Sequence, residues 1–155
     1  MAKSQFVYVT YIRTTPEKLW EALIRPEFTK IYWAGTYQKS EWKKGSRWEV
    51  YTPDGRLWDD GEIIETDYPR KLVLTWRKVA GNFPEMRAEG YTRLTYELEP
   101  LNDAIKLTLT HESDVENSKL IGAVSQGWPM VLASLKSLLE TGAPIEDSTK
   151  WPEGL

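Results

Sequence analysis

The chain has no cysteine and a single histidine, His111. Disulfides and thiol catalysis are excluded, and this usage fits a reducing compartment. A zinc site would need carboxylates for nearly every ligand, so neither a metal nor a cofactor is expected. No run of about 18 apolar residues occurs, and the opening "MAKSQFVYVT" lacks the apolar core of a signal peptide. The expectation is a soluble, cytoplasmic protein without membrane partners. Charge of one sign is also missing: 20 Lys and Arg stand against 23 Asp and Glu, a net −3. That balance implies no strongly basic face, so nucleic acid is not expected as a partner. Gly-rich phosphate loops, Gly-x-Ser-x-Gly and His-Glu-x-x-His are all absent. No catalytic residue is assigned, and a non-enzymatic protein is expected.

Aromatics, by contrast, are plentiful, with eight Trp and eight Tyr against three Phe. Both types join a large apolar body to a polar handle, which suits a pocket wall as well as a core. At 155 residues the chain is long enough for one domain with a real core. No repeat, linker or low-complexity segment divides it. We read residues 1–142 as one domain and 143–155, "APIEDSTKWPEGL", as an extended tail packed through Trp151.

"QFVYVTYIR" (Gln5–Arg13) reads as a strand, though both of its faces carry apolar residues. Thr14-Thr15-Pro16-Glu17 opens a helix with a threonine cap, a first-turn proline and an early acid. Leu19, Trp20 and Leu23 follow at helical spacing, and a second short helix is expected at about Glu27–Tyr32. Pro53-Asp54-Gly55 joins two extended runs as a hairpin, with Trp48 and Val50 on one face of its first arm. "KLVLTWRKV" alternates Leu72, Leu74 and Trp76 against Lys71, Thr75 and Arg77. "MRAEGYTRLTYELEP" continues with Leu94, Tyr96 and Leu98 inside, and "AIKLTLTHE" with Ile105, Leu107, Leu109 and His111. Successive strands with one polar face describe an antiparallel meander, covered by the amphipathic C-terminal helix. The plan is α+β.

That last helix carries an oddity, Gly127-Trp128-Pro129. Either it begins at Trp128 with Pro129 in its first turn, or a longer helix from about Lys119 bends near Ser125. "WDDGE" (Trp58–Glu62) crowds three acids around a glycine, and a solvated turn is favoured over a cation or proton site. His111 faces inward at a strand end. It either tops a pocket rim as a ligand or proton contact or ties the strand end to the helix start by bonding to backbone, and the second reading is preferred.

The order and spacing of "TTPEKLWEAL", "IYWAG", "PDGRLWDDGEIIETDYPRKLVLTW", "LTLTHE" and "GWPMVLASLKSLLETG" resemble the activator of Hsp90 ATPase homologue group. That group lies within the START-like (SRPBCC) superfamily with its birch-pollen-allergen helix-grip architecture. "KKGS" departs from a frequent double glycine, and Pro129 follows the Gly-Trp pair. The resemblance implies a curved antiparallel sheet, two short helices after the first strand, and a long C-terminal helix gripped over an apolar cavity. It favours the longer version of the last helix, with Gly127 letting backbone approach the sheet and Trp128 aimed into the space above it. Trp48, Trp76, Leu94, Tyr96, Leu109, His111, Trp128 and Val131 are the ligand-binding candidates, with Trp33 and Trp58 at the entrance. The implied function is binding of an apolar or aromatic small molecule, lipid-, hormone- or polyketide-like, by a monomer or homodimer. The alternatives are an Hsp90 co-chaperone and ATPase-activator-like stress protein, with an Hsp90-type chaperone as partner, and an aromatase/cyclase-like enzyme.

Overall fold

A computed structural model describes residues 2–155. Strand β1 (Ser4–Ile12) leads into helices α1 (Pro16–Ile24) and α2 (Pro26–Tyr32), then β2 (Tyr37–Ser40), β3 (Arg47–Tyr51), β4 (Leu57–Asp67) and β5 (Lys71–Lys78). A short helix α3 (Pro84–Ala88) precedes β6 (Thr92–Pro100) and β7 (Ile105–Ser113), and α4 (Lys119–Thr141) closes the order. The seven strands form one antiparallel sheet, β1-β7-β6-β5-β4-β3-β2. It is the α+β plan read from the sequence, in the helix-grip form that the resemblance implied.

Local chemistry sets the early elements. Thr15 Oγ1 accepts from the Lys18 N–H at 3.2 Å and caps α1, with Pro16 in the first turn. The β3–β4 hairpin turns at Gly55, whose φ of +89° is open to glycine at little steric cost. Pairing settles the face of β1: Phe6, Tyr8 and Ile12 turn inward, while Val7, Val9 and Tyr11 are exposed. The inner face carries Leu72, Leu74 and Trp76 of β5, Leu94, Tyr96 and Leu98 of β6, and Ile105, Leu107 and Leu109 of β7. Leu120, Trp128, Leu132 and Leu135 of α4 and Leu19, Trp20 and Leu23 of α1 complete the core.

Three expectations change. "MRAEGYTRLTYELEP" is not strand throughout: Pro84 starts α3 and Gly90, at φ +76°, turns the chain before β6 begins at Thr92. Proline's fixed φ suits a first helical turn. "WDDGE" is no solvated turn but part of β4, with Asp59 and Asp60 both buried. Gly61 is needed there because a Cβ would stand 1.8 Å from the Thr75 carbonyl oxygen. Lastly, α4 runs from Lys119 through Pro129 as one helix, but Gly127 makes no close approach, since a Cβ on it would meet nothing within 4 Å.

Both ends of α4 are fixed. Ser118 Oγ accepts from the Ile121 N–H at 3.1 Å, and Glu89 accepts from the Lys119 N–H at 2.6 Å. The carboxylate also complements the helix dipole. Gly142, at φ +85°, ends the helix with its N–H on the Leu138 carbonyl. The tail carries a 3-10 turn at Glu146–Ser148. Beyond Trp151 it is held by Ser148, whose Oγ donates to Ser134 Oγ of α4 at 2.6 Å and whose carbonyl accepts from the Ala34 N–H at 2.7 Å. Among the described residues no helix is long and apolar enough to cross a membrane.

Candidate functional site

A cavity of about 450 Å³ lies against α4 beside the start of β4 and the end of β5. The inner strands supply Val50, Asp59, Trp76 and Lys78, and α4 supplies Leu120, Val124, Trp128 and Val131. Phe83 and Met86 approach from the α3 segment, and Trp151, Pro152 and Leu155 from the tail. A bulge sets part of this wall. Val50 pairs with Asp59 and Tyr51 with Leu57, so Trp58 is the extra residue on β4. Its ring meets Phe83 at 6.2 Å and Trp151 edge-on at 4.9 Å. A second aromatic group joins Trp76 to Trp33 at 5.9 Å and to Trp128 at 5.7 Å, with Trp33 and Trp128 5.1 Å apart.

Of the residues expected from sequence, Trp76, Trp128 and Val131 line this cavity together with Trp33 and Trp58. Trp48, Leu94, Tyr96, Leu109 and His111 are buried in the packed core and are not part of its lining. They share the inner face of the sheet, but side chains from α1, α2 and α4 fill the space above them.

His111 has a defined structural setting. The Trp128 indole N–H donates to His111 Nδ1 at 3.2 Å. Nδ1 must therefore be the acceptor, and Nε2 carries the proton. Nε2–H donates to Thr92 Oγ1 at 2.8 Å, whose hydroxyl donates in turn to the Trp76 carbonyl at 2.8 Å. Burial pushes the imidazole down to about 3, so it is neutral at physiological pH. The tie runs to the middle of α4 through side chains, not to the helix start through backbone. A helix-period count of α4 cannot show which indole N–H meets the strand.

Two polar wall residues had no clear signal in the sequence. Asp59 and Lys78 are paired across β4 and β5, with Lys78 Nζ 3.3 Å from Asp59 Oδ1 and 3.7 Å above the Trp58 ring. Burial pushes the Asp59 carboxyl up to about 6, against the pull of Lys78 and the nearby Trp76 N–H. The same burial brings Lys78 down to about 8, against the pull of Asp59. Each partner holds the other's charge against the burial that disfavours it. Neighbouring Asp60 turns to the other face and is clamped by Arg47 at 2.8 Å and Arg77 at 2.7 Å. Among the described residues no group of three or more His, Asp or Glu could hold a metal ion.

Residues 13–140 match the sequence model of the family described as "Activator of Hsp90 ATPase homolog 1-like protein". The chain belongs to this family. A comparison with curated proteins returned no match. Among solved structures, MLL2253 from Mesorhizobium loti is 22% identical with a TM-score of 0.73, over 88% of this chain and 97% of that one. The Aha1 dimer from Colwellia psychrerythraea is 23% identical with a TM-score of 0.68, over 90% and 98%. DynU16, a protein in the dynemicin biosynthetic locus, is 16% identical with a TM-score of 0.73, over 95% of this chain but 49% of that one. At such identities the likeness is one of fold.

Proposed function

We propose that the protein binds a small apolar or aromatic molecule in the cavity beside α4. The observation that carries this reading is a space of about 450 Å³ walled by Trp33, Trp58, Trp76, Trp128, Phe83 and Trp151. Ligand sites are typically on the order of 300–1,000 Å³, mostly apolar, with a few placed polar groups. Burying roughly 200 Å² of ligand surface at about 25 cal/mol per Å² contributes about 5 kcal/mol of driving force. The test is a thermal-shift titration with lipid, hormone-like and fused-ring aromatic panels, read together with tryptophan fluorescence. A saturable rise in the unfolding midpoint with quenching is expected, since a ligand at about 100 Kd stabilises by about 2.7 kcal/mol. A flat midpoint and unquenched fluorescence across all panels would overturn the reading.

Family membership favours a second reading, stimulation of an Hsp90-type ATPase. Its measurement is the turnover of the purified chaperone with and without this protein. An aromatase/cyclase-like role through His111 and Tyr96 is less well supported, because neither side chain lines the cavity.

A further inference from the structure

The cavity wall leaves two buried polar atoms without partners. Asp59 Oδ1 and Trp76 Nε1 make no hydrogen bond of acceptable geometry among the described residues, although the indole N–H lies near enough to pull on the carboxyl. Their residues are 4% and 5% exposed, and both line the cavity. Unpaired buried groups are costly, and native structures keep few of them. The two are neighbours by construction. Asp59 pairs with Lys78 across the β4–β5 ladder, and Trp76 stands two residues from Lys78 on the same face. Lys78 balances the charge of Asp59 at 3.3 Å but does not close a hydrogen bond to Oδ1, and its ammonium is drawn over the Trp58 ring.

What remains open is one anionic acceptor beside one neutral donor. A hydroxyl group serves both, because its O–H donates while its lone pairs accept. An ether or ketone oxygen could take the Trp76 N–H but would leave Asp59 unpaired. A carboxylate would meet Asp59 as a like charge. The rest of the wall is aromatic and apolar, which suits a flat ring system. We infer that this cavity selects hydroxylated aromatic molecules, phenols or enols on a fused-ring body, and seats the hydroxyl between Asp59 Oδ1 and Trp76 Nε1. This deepens the cavity-binding reading and rests on it.

The test uses the full chain and three probes of matched shape: 1-hydroxypyrene, 1-methoxypyrene and pyrene-1-carboxylate. Affinities are read by quenching of tryptophan fluorescence and by calorimetry. The hydroxyl compound should bind roughly tenfold or more tightly than either analogue, the discrimination expected of a hydrogen bond to a charged group. Trp76→Phe keeps an aromatic wall but removes the N–H, and Asp59→Asn removes the charge. Each should reduce the preference to within about threefold. Should either variant fail to fold, the wild-type series still decides. Equal affinities, or a tighter ether or carboxylate, would overturn the hydroxyl anchor while leaving cavity binding intact. Failure of all three probes to bind would overturn the hydroxylated fused-ring ligand, and the wider lipid, hormone-like and aromatic panels decide cavity binding itself.

Discussion

At the scale of single residues, His111 and the Asp59–Lys78 pair have opposite consequences for acid stability. The folded imidazole titrates near 3 because it is buried, against an ordinary 6.5. Between those values the unfolded chain binds a proton that the folded chain refuses. Stability present above pH 6.5 is therefore lost as pH falls toward 3, by up to about 1.4 kcal/mol per unit. Asp59 works the other way, since its folded carboxyl takes a proton near 6 against an ordinary 3.8. Its uptake offsets part of the loss between pH 6 and 4. Urea denaturation from about pH 7.5 to 5 should show the wild type losing roughly 1 kcal/mol per unit relative to His111→Gln. Parallel pH profiles would sink this account. The ion pair itself is a stability liability, because burial disfavours both charges. The double variant Asp59→Leu/Lys78→Met should match or exceed the wild type by up to about 4 kcal/mol in chemical denaturation. Marked destabilisation of the double variant would show that the pair supports the fold and is not a functional expense.

At the scale of elements, α4 holds three helix-opposing residues, Gly122, Gly127 and Pro129, and tolerates all of them. Proline in a helix interior costs about 3 kcal/mol through a lost bond and a clash with the carbonyl four residues back, here that of Ser125. Glycine costs about 1 kcal/mol relative to alanine. The helix survives because its ends are capped by Ser118, Glu89 and Gly142 and its inner face is buried through Leu120, Trp128, Leu132 and Leu135. Gly127 meets no neighbour within 4 Å of a built Cβ and borders the cavity. Gly127→Ala should therefore raise stability by about 0.5–1 kcal/mol, or about 2–4 °C per kcal/mol in the unfolding midpoint. The added methyl should at the same time weaken binding of a bulky ligand. Calorimetric scans with and without 1-hydroxypyrene separate the two effects, and a lowered midpoint in the free protein would contradict the open space. The Thr15 cap and the Gly55 hairpin were legible in sequence because each is decided within four or five residues. The short helix α3 was missed because the Leu94-Tyr96-Leu98 alternation invites extension of strand back past Gly90 to Met86.

At the scale of the molecule, the sheet and its helical cover were legible from alternating faces, but the position of the cavity was not. Alternation placed Trp48, Leu94, Tyr96 and Leu109 on the inner face, where they are, without showing that helices fill the space above them. The open end depends on contacts distant in sequence: the bulge that frees Trp58, the pairing that brings Asp59 to Lys78, and the tail that returns over both. Asp59 looked like a turn residue because its partner lies in the next strand, and register across strands is not written in either segment alone. The tail forms part of the cavity wall through Trp151, which meets Trp58 at 4.9 Å, and its Leu155 carbonyl accepts from Arg56 at 2.8 Å and from the Trp151 indole N–H at 3.2 Å. Since Trp151 is half-buried and shares this wall with Pro152 and Leu155, its removal should alter ligand escape more than folding. Trp151→Ala should cost about 0.5–1.5 kcal/mol of stability, the worth of an aromatic pair. It should also raise the dissociation rate of a bound fused-ring ligand by roughly tenfold, with little change in the association rate, as for most contact losses at a binding site. Stopped-flow fluorescence with 1-hydroxypyrene resolves the two rates. An unchanged dissociation rate would mean that the tail packs beside the occupied cavity without closing it, and that the retaining contacts lie wholly in α4 and the β4–β5 wall.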